Sequence, residues 1–453
     1  MEAISLQELT AGLGPVSVEG TVRSVVTDSR LAEEGSVFVA IKGERVDGHQ
    51  FVAQTLAKGA VLAVVDHTVE GAPADRQLVV DSTLHALITM GGNYRRRYQP
   101  VLAGVTGSVG KTTTKEFLYA ILAAFGKTLK TEGNKNNEIG MPQTLFRLDD
   151  SYEYAVVEMG MSAPGDISLL THAARPHTAV ITGIGVSHIE ALGSRENILK
   201  AKLEICEGLP QEAVLVLNGD DELLRSAPVR EDLRRVFFAL ENTQADVFAK
   251  DIREDHRGEQ FTIVDKENGE IPAHIPALGR HSVLDALAAY TTATRMGLDA
   301  VRCADALADY TPAGQRQKLV DFKGATVIED CYNASPDSMR AALLTLSSLP
   351  AAGKKIAVLG DMLELGPISV AMHERVGEVA AEEGISCVYT FGDRGALISA
   401  KAAENGVLET GHFTDKSALA RQLKRVVRPG DAVLFKASRG MKFEEIISSF
   451  YEE

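Results

Sequence analysis

Cysteine is scarce in this chain: Cys206, Cys303, Cys331 and Cys387 are its only four, and no two stand in Cys-x-x-Cys spacing. That argues against a disulfide framework or a zinc site and fits free thiols in a reducing cytosol. Long apolar runs are also missing. None approaches the roughly 18 residues of a membrane helix, and the opening MEAISLQELTAGLG has no basic region, so neither a span nor a signal peptide is expected. Basic residues are outnumbered, 47 Lys and Arg against 62 Asp and Glu, for a net charge of −15. So acidic a chain is a poor general binder of nucleic acid or anionic lipid. An anionic ligand must be held by a local concentration of Lys, Arg and helix N-termini. No repeat or low-complexity segment stands out. What remains is globular: 453 residues, 45% hydrophobic, enough for about three domains.

The most informative stretch is VLAGVTGSVGKTTTK, residues 101–115. The apolar run Val101–Val105 reads as a buried strand. It breaks into Thr106-Gly107-Ser108-Val109-Gly110, then Lys111-Thr112-Thr113-Thr114, then an amphipathic run from Lys115 to Phe125. Strand, glycine loop and helix in that order form a phosphate cradle. Gly107 and Gly110 let backbone N–H groups turn toward an anion, and the helix N-terminus adds its positive dipole end. Lys111 can reach the terminal phosphates, and the Thr112 hydroxyl can ligate Mg²⁺. The general pattern wants Gly where Val105 stands, so this is a variant loop.

Three blocks emerge, with boundaries predicted at 1–98, 99–311 and 312–453. The first has short apolar runs at 36–41, 61–65 and 78–80, with a helical stretch at 48–57, and ends at a Pro100 break. The second opens with the phosphate loop and continues with strand-like runs at 154–157, 178–184 and 213–217, separated by helical patterns. That alternation predicts an α/β fold with a doubly wound, mostly parallel sheet. A helix over 281–295 closes the block. Runs at 325–328, 355–359, 387–391 and 431–435 predict a smaller Rossmann-like α/β domain in the third.

Other polar residues fall at predicted strand ends, where ligands bind in open α/β sheets. Glu158 ends the 154–158 strand and suits Mg²⁺. His188 follows the 178–184 run. Lys202 lies in a charged helix and, on its own, reads as a solvated lysine with neighbours such as Glu196 and Lys200. Asn134 to Asn137 is a polar turn, open to a capping or a ligand-binding role. Asp330 and Asn333 follow the 325–328 strand and are expected to face a crevice.

Together these motifs resemble the Mur ligases, the ATP-dependent amide-forming ligases of peptidoglycan precursor synthesis. TGSVGKTTTKE at 106–116 is similar to their ATP loop, whose pattern begins at Thr106-Gly107 and so accounts for Val105. GNKNNEIGMPQTL at 133–145 looks like their asparagine-rich loop, and Glu158-Met159-Gly160-Met161 like their Mg²⁺ glutamate segment. His188 and Lys202, 202 − 188 = 14 positions apart, match the metal-histidine and carbamylated-lysine spacing. DCYNASPDSMRAAL at 330–343 and GDMLELG at 360–366 favour the branch that adds D-alanyl-D-alanine to UDP-N-acetylmuramoyl-tripeptide. A sibling ligase or a P-loop regulatory NTPase is the alternative. The match covers nearly the whole chain.

The resemblance implies roles residue by residue. Thr106, Gly107, Ser108, Gly110, Lys111, Thr112, Thr113, Asn137, His281, Arg316, Asp330 and Asn333 are expected at ATP. Ser29, Arg30, Lys42, Arg45, Asp47 and His49 are expected at the UDP-sugar. Thr112, Glu158, His188 and Lys202 would serve two Mg²⁺ sites, with Lys202 as a carbamate, and Lys111, His188 and Lys202 would be catalytic. Ser282 and Asp285 depart from the family, standing where Asn is usual. A cytoplasmic monomer, not inserted in a membrane, is implied.

Overall fold

The computed structural model describes every residue except 44, 256, 257 and 453. Three α/β units follow one another. In the first, strands Ser24–Val26, Ser36–Val39, Leu62–Val65 and Gln77–Val79 form a parallel four-stranded sheet in chain order. A small antiparallel pair, Ile4–Ser5 with Thr21–Val22, lies beside it. The helical stretch at 48–57 divides into a 3-10 turn, Gly48–Phe51, and a helix, Val52–Ala57. Helix Thr83–Arg95 ties this unit to the next. A Cβ on Gly92 would sit 3.1 Å from Ala173 Cα, so only glycine lets the two helices approach this closely. Arg95 also donates to the Ala174 carbonyl at 3.1 Å.

The central sheet has nine strands. Its parallel part runs Thr128–Lys130, Tyr154–Glu158, Val101–Thr106, Thr178–Ile181, Val214–Asn218, Arg234–Ala239 and Val247–Asp255. Gly258–Asp265 and Gly269–Ile275 extend it antiparallel. The strands at its heart are buried along their length except at the first residues Val101 and Tyr154. Helices cover both faces, which is why their sequences read as continuous apolar runs. One face packs against Lys111–Phe125 and Arg280–Arg295. The other shares a continuous core with the first unit.

The third unit is a six-stranded sheet, parallel except for the edge strand Lys318–Phe322, which pairs antiparallel with Ala325–Glu329. Helix Pro336–Ser348 starts from a Ser335/Ser338 capping box with Pro at its first turn. In each of the three larger sheets, loops singled out from the sequence leave the carboxyl ends of parallel strands: those after Ser24–Val26 and Ser36–Val39, after Val101–Thr106 and Tyr154–Glu158, and after Ala325–Glu329.

Candidate functional site

The strand Val101–Thr106 lies between Tyr154–Glu158 and Thr178–Ile181, so the loops after all three emerge side by side. The phosphate loop is shaped by two glycines. Gly107 has φ +149° and a Cβ there would lie 1.9 Å from Thr182 Oγ1; Gly110 has φ +86° and a Cβ would lie 2.2 Å from Asp285 Oδ1. Helix Lys111–Phe125 begins directly after Gly110, four residues ahead of the amphipathic run at Lys115. The turn is pinned from the neighbouring strand: Ser108 N–H donates to the Gly183 carbonyl at 2.9 Å, and Thr182 Oγ1 donates to Val109 O. Thr106 Oγ1 donates to Met159 O at 2.8 Å.

Lys111 curls over this loop, its Nζ 2.7 Å from the Gly107 carbonyl and 3.3 Å from that of Ser108. Burial lowers its pKa; Glu158 partly offsets this, and nearby Arg316 adds to it. The Thr112 hydroxyl donates to Glu158 Oε2 at 2.8 Å, and Asn136 Nδ2 donates to Oε1 at 2.7 Å. Glu158 is 1% exposed, and Lys115 Nζ lies 3.9 Å away. Asn137, the residue expected at ATP, accepts the Gly140 N–H at 2.9 Å, while its neighbour Asn136 reaches the glutamate.

His188 and Lys202 come to the same place. Lys202 is 2% exposed and makes no ion pair among the described residues. Burial and the charge of Lys111 push its pKa well below the lysine range. His188 sits in the left-handed region, φ +64°, with Nδ1 2.8 Å from Glu364 Oε2. Burial lowers its pKa; the facing Glu364 opposes this, and Lys111 and Lys202 reinforce it. Three basic side chains thus converge in a protein of net charge −15, which is the local concentration an anion needs.

The third unit stands over this edge. Asp337 lies where a Cβ on Gly185 would come within 2.4 Å of its carboxylate, and Gly366 faces Glu190. His281 pairs with the Gln317 amide and is held to a pKa of about 4 by burial; Asp330 counters and Lys436 adds to the effect. Asp330 is ion-paired, with Lys436 Nζ 2.6 Å from Oδ2, and the same ammonium reaches Asn333 O at 3.3 Å. Arg316 stacks 3.9 Å from the Tyr332 ring centroid, with Arg439 4.9 Å from the same ring centroid.

In the first unit, Asp28-Ser29-Arg30 and Lys42 to His49 follow the carboxyl ends of the paired strands Ser24–Val26 and Ser36–Val39. Asp28 caps the turn Ser29–Leu31 and binds the exposed Arg30; Asp47 caps Gly48–Phe51 and holds His49 Nδ1 at 2.7 Å. Lys42 and Asp47 pair through an isolated antiparallel backbone β-bridge, Arg45 is exposed, and residue 44 lies outside the described residues.

Models of the Mur ligase middle domain, of the Mur ligase glutamate ligase domain and of the Mur ligase family catalytic domain match residues 105–293, 315–439 and 21–100. The UDP-N-acetylmuramoyl-tripeptide–D-alanyl-D-alanine ligase of Bacillus subtilis (strain 168) is 40% identical, covering 97% of this chain and 95% of its own. The chain belongs to the Mur ligase family. Among solved structures, MurF from Acinetobacter baumannii superposes with TM-score 0.88 at 31% identity, covering 100% of this chain and 99% of that one. MurF ligase from Thermotoga maritima in complex with ADP gives 0.83 at 30% identity, covering 95% and 97%.

Within this Mur ligase, the structure accounts for one departure from the family pattern. Asp285 lies under Gly110 and accepts from Thr114 Oγ1 at 3.4 Å, so it buttresses the phosphate loop. Burial raises its pKa well above the carboxylate range, against hydrogen bonds from Thr114 and Thr113. Ser282 Oγ lies 2.8 Å from Leu278 O and 3.1 Å from Gln317 Oε1, with a single O–H to share between them. Asn136, Gln317, Lys436 and Glu364 were not singled out from sequence. Asn136 and Glu364 lie in motifs that resemble the family's, and Lys436 directly follows the 431–435 run; Gln317 has no such signal.

Proposed function

We propose that this Mur ligase uses ATP to join D-alanyl-D-alanine to UDP-N-acetylmuramoyl-tripeptide, releasing ADP and phosphate. The observation that carries this reading is the convergence of Lys111, His188 and Lys202 with the Thr112–Glu158 pair at one sheet edge, beneath the third unit. Such a site suits a reaction between two anions, ATP and a carboxylate. The substrates follow from the full-length likeness to ligases of that name.

Amide formation in water is uphill, so the tripeptide carboxylate must first become an acyl phosphate. Transfer of the γ-phosphoryl group spreads charge over its equatorial oxygens, and positioned cations stabilise it. The loop N–H groups and the end of helix Lys111–Phe125 bind the phosphates. Lys111, now bonded to Gly107 and Ser108 carbonyls, swings onto the γ-phosphate. His281 with Gln317, Asp330 with Lys436, Arg316 and Asn333 border the nucleotide from the third unit. This cover excludes water from the acyl phosphate until the dipeptide amine attacks.

The residues fit two Mg²⁺ ions. Thr112 Oγ1 and Glu158 Oε2 are already 2.8 Å apart and form a hard oxygen pair of the kind Mg²⁺ takes. His188 offers a neutral imidazole. Burial favours the neutral form of the Lys202 amine, a poor Mg²⁺ ligand that can react with CO₂, and its carbamate would supply two oxygens. Bound Mg²⁺ would neutralise phosphate and carboxylate charge. The UDP-sugar reading for Ser29, Arg30, Lys42, Arg45, Asp47 and His49 rests on two neighbouring strand ends in the first unit. No described helix is long and apolar enough to cross a membrane, and a monomer in the cytoplasm suits this chemistry.

Purified protein should release ADP only when ATP, UDP-tripeptide and D-alanyl-D-alanine are all present. Assays with tripeptides ending in lysine and in diaminopimelate define the third residue. ADP release indifferent to the dipeptide favours a regulatory NTPase.

A further inference from the structure

The incoming nucleophile poses an electrostatic problem. D-alanyl-D-alanine presents an ammonium, yet on this reading the acceptor carboxylate sits near the basic side chains of Lys111, His188 and Arg316. A cation approaching such a cluster needs an anionic partner. Two glutamates face it. Glu158 is 1% exposed and already engaged by Thr112 and Asn136. Glu364 is different: its side chain is 63% exposed, and His188 is its one ion-pair partner among the described residues.

Glu364 is also held in place by its backbone. It has φ +62°, a left-handed conformation costly for a side-chain-bearing residue and kept where the surroundings impose it. The surroundings here are specific. Met362 N–H donates to His373 Nε2 at 2.9 Å and Leu363 N–H to Ser438 Oγ at 3.0 Å. Asp361 Oδ1 accepts the N–H groups of Arg394 and Gly395, at 3.0 and 2.7 Å. Behind it, Gly366 has φ +49° and packs against Glu190. An exposed carboxylate on so firmly tied a loop, reaching across the domain boundary to a candidate catalytic histidine, is built for more than a surface ion pair.

We propose that Glu364 is the docking point for the ammonium of the incoming dipeptide, leaving His188 for that ammonium when substrates are bound. The inference rests on the ligase reading above and adds a residue of the third unit to it. Because Glu364 and His188 belong to different domains, the amine site is complete only while the two are closed together.

Glu364→Gln and Glu364→Asp test this. Removing a charged hydrogen-bond partner should raise KM for D-alanyl-D-alanine about tenfold or more in the glutamine variant. The aspartate variant should recover part of the loss, and KM for ATP and UDP-tripeptide should move less than about twofold. D-lactoyl-D-alanine, which lacks the amine, should inhibit wild type and Glu364→Gln with the same constant. An unchanged dipeptide KM overturns the proposal. So does a parallel rise in all three KM values, which marks a structural role, or weaker D-lactoyl-D-alanine inhibition in the variant. Failure of wild type to use D-alanyl-D-alanine would instead overturn the ligase reading; the same comparison would then use the amine that wild type accepts.

Discussion

Thr112 and Glu158 stand 46 residues apart in sequence, yet the threonine hydroxyl donates to the glutamate at 2.8 Å. The first lies at the start of the helix after one strand, the second at the end of the strand beside it. Parallel pairing of those strands is what brings a phosphate loop and a carboxylate together. Glu158→Gln keeps the shape and removes the charge. Activity should fall by more than the 10–100-fold typical of losing a group that only supports a metal ligand. The Mg²⁺ concentration for half-maximal rate should rise, and a Mg²⁺ titration of steady-state rate checks both.

Lys111→Ala should cost about 3 kcal/mol or more of transition-state stabilisation, the scale seen when one preorganised electrostatic group is removed. Phosphate release measured with all substrates saturating should therefore drop at least about a hundredfold. A near-wild-type rate would contradict the role given to the loop lysine.

Lys202→Ala should be inactive and regain part of its rate with millimolar acetate or propionate, which would replace the carbamate oxygens. Its folded state should persist by circular dichroism. Absence of rescue in a folded variant would count against carbamylation. Wild type, for its part, should lose activity on removal of CO₂ and recover it with bicarbonate.

Asp285 offers a test through stability. Burial raises its pKa in the folded state, so the folded protein holds a proton that the unfolded chain releases near pH 4. The stability this contributes is fully present below that pH and is lost as pH rises through the folded value. Asp285→Asn, which cannot ionise, should thus gain on wild type with rising pH. The difference in Tm should widen by about 2 °C or more between pH 4 and 8, measured by calorimetry without nucleotide. A difference independent of pH would mean the carboxyl is charged in the fold.

Much of this was legible in the sequence where neighbouring residues carry the signal. The phosphate loop, Glu158 and the alternating strands and helices belong to that group. The antiparallel extension at 258–275 was not legible, since its mixed polar and apolar residues lack the buried-strand run. Nor could sequence decide which asparagine meets Glu158: Asn136 and Asn137 are adjacent, and only the backbone turn sends one to the carboxylate and the other to Gly140. Asp330 is expected from sequence to face a crevice, without a named partner. Its pairing with Lys436, 106 residues away, required the sheet to bring two strand ends together. Lys202 shows the reverse case: charged helical neighbours suggested a solvated lysine, and only the family spacing pointed to the buried amine found here.

The central claim is that a peptide carboxylate is activated by the γ-phosphoryl group of ATP. Isotope transfer tests it most directly. UDP-tripeptide labelled with ¹⁸O in its terminal carboxylate should yield phosphate carrying one ¹⁸O per amide bond formed, because the acyl oxygen leaves with the phosphoryl group. Unlabelled phosphate, with the ¹⁸O retained in the peptide, would contradict it.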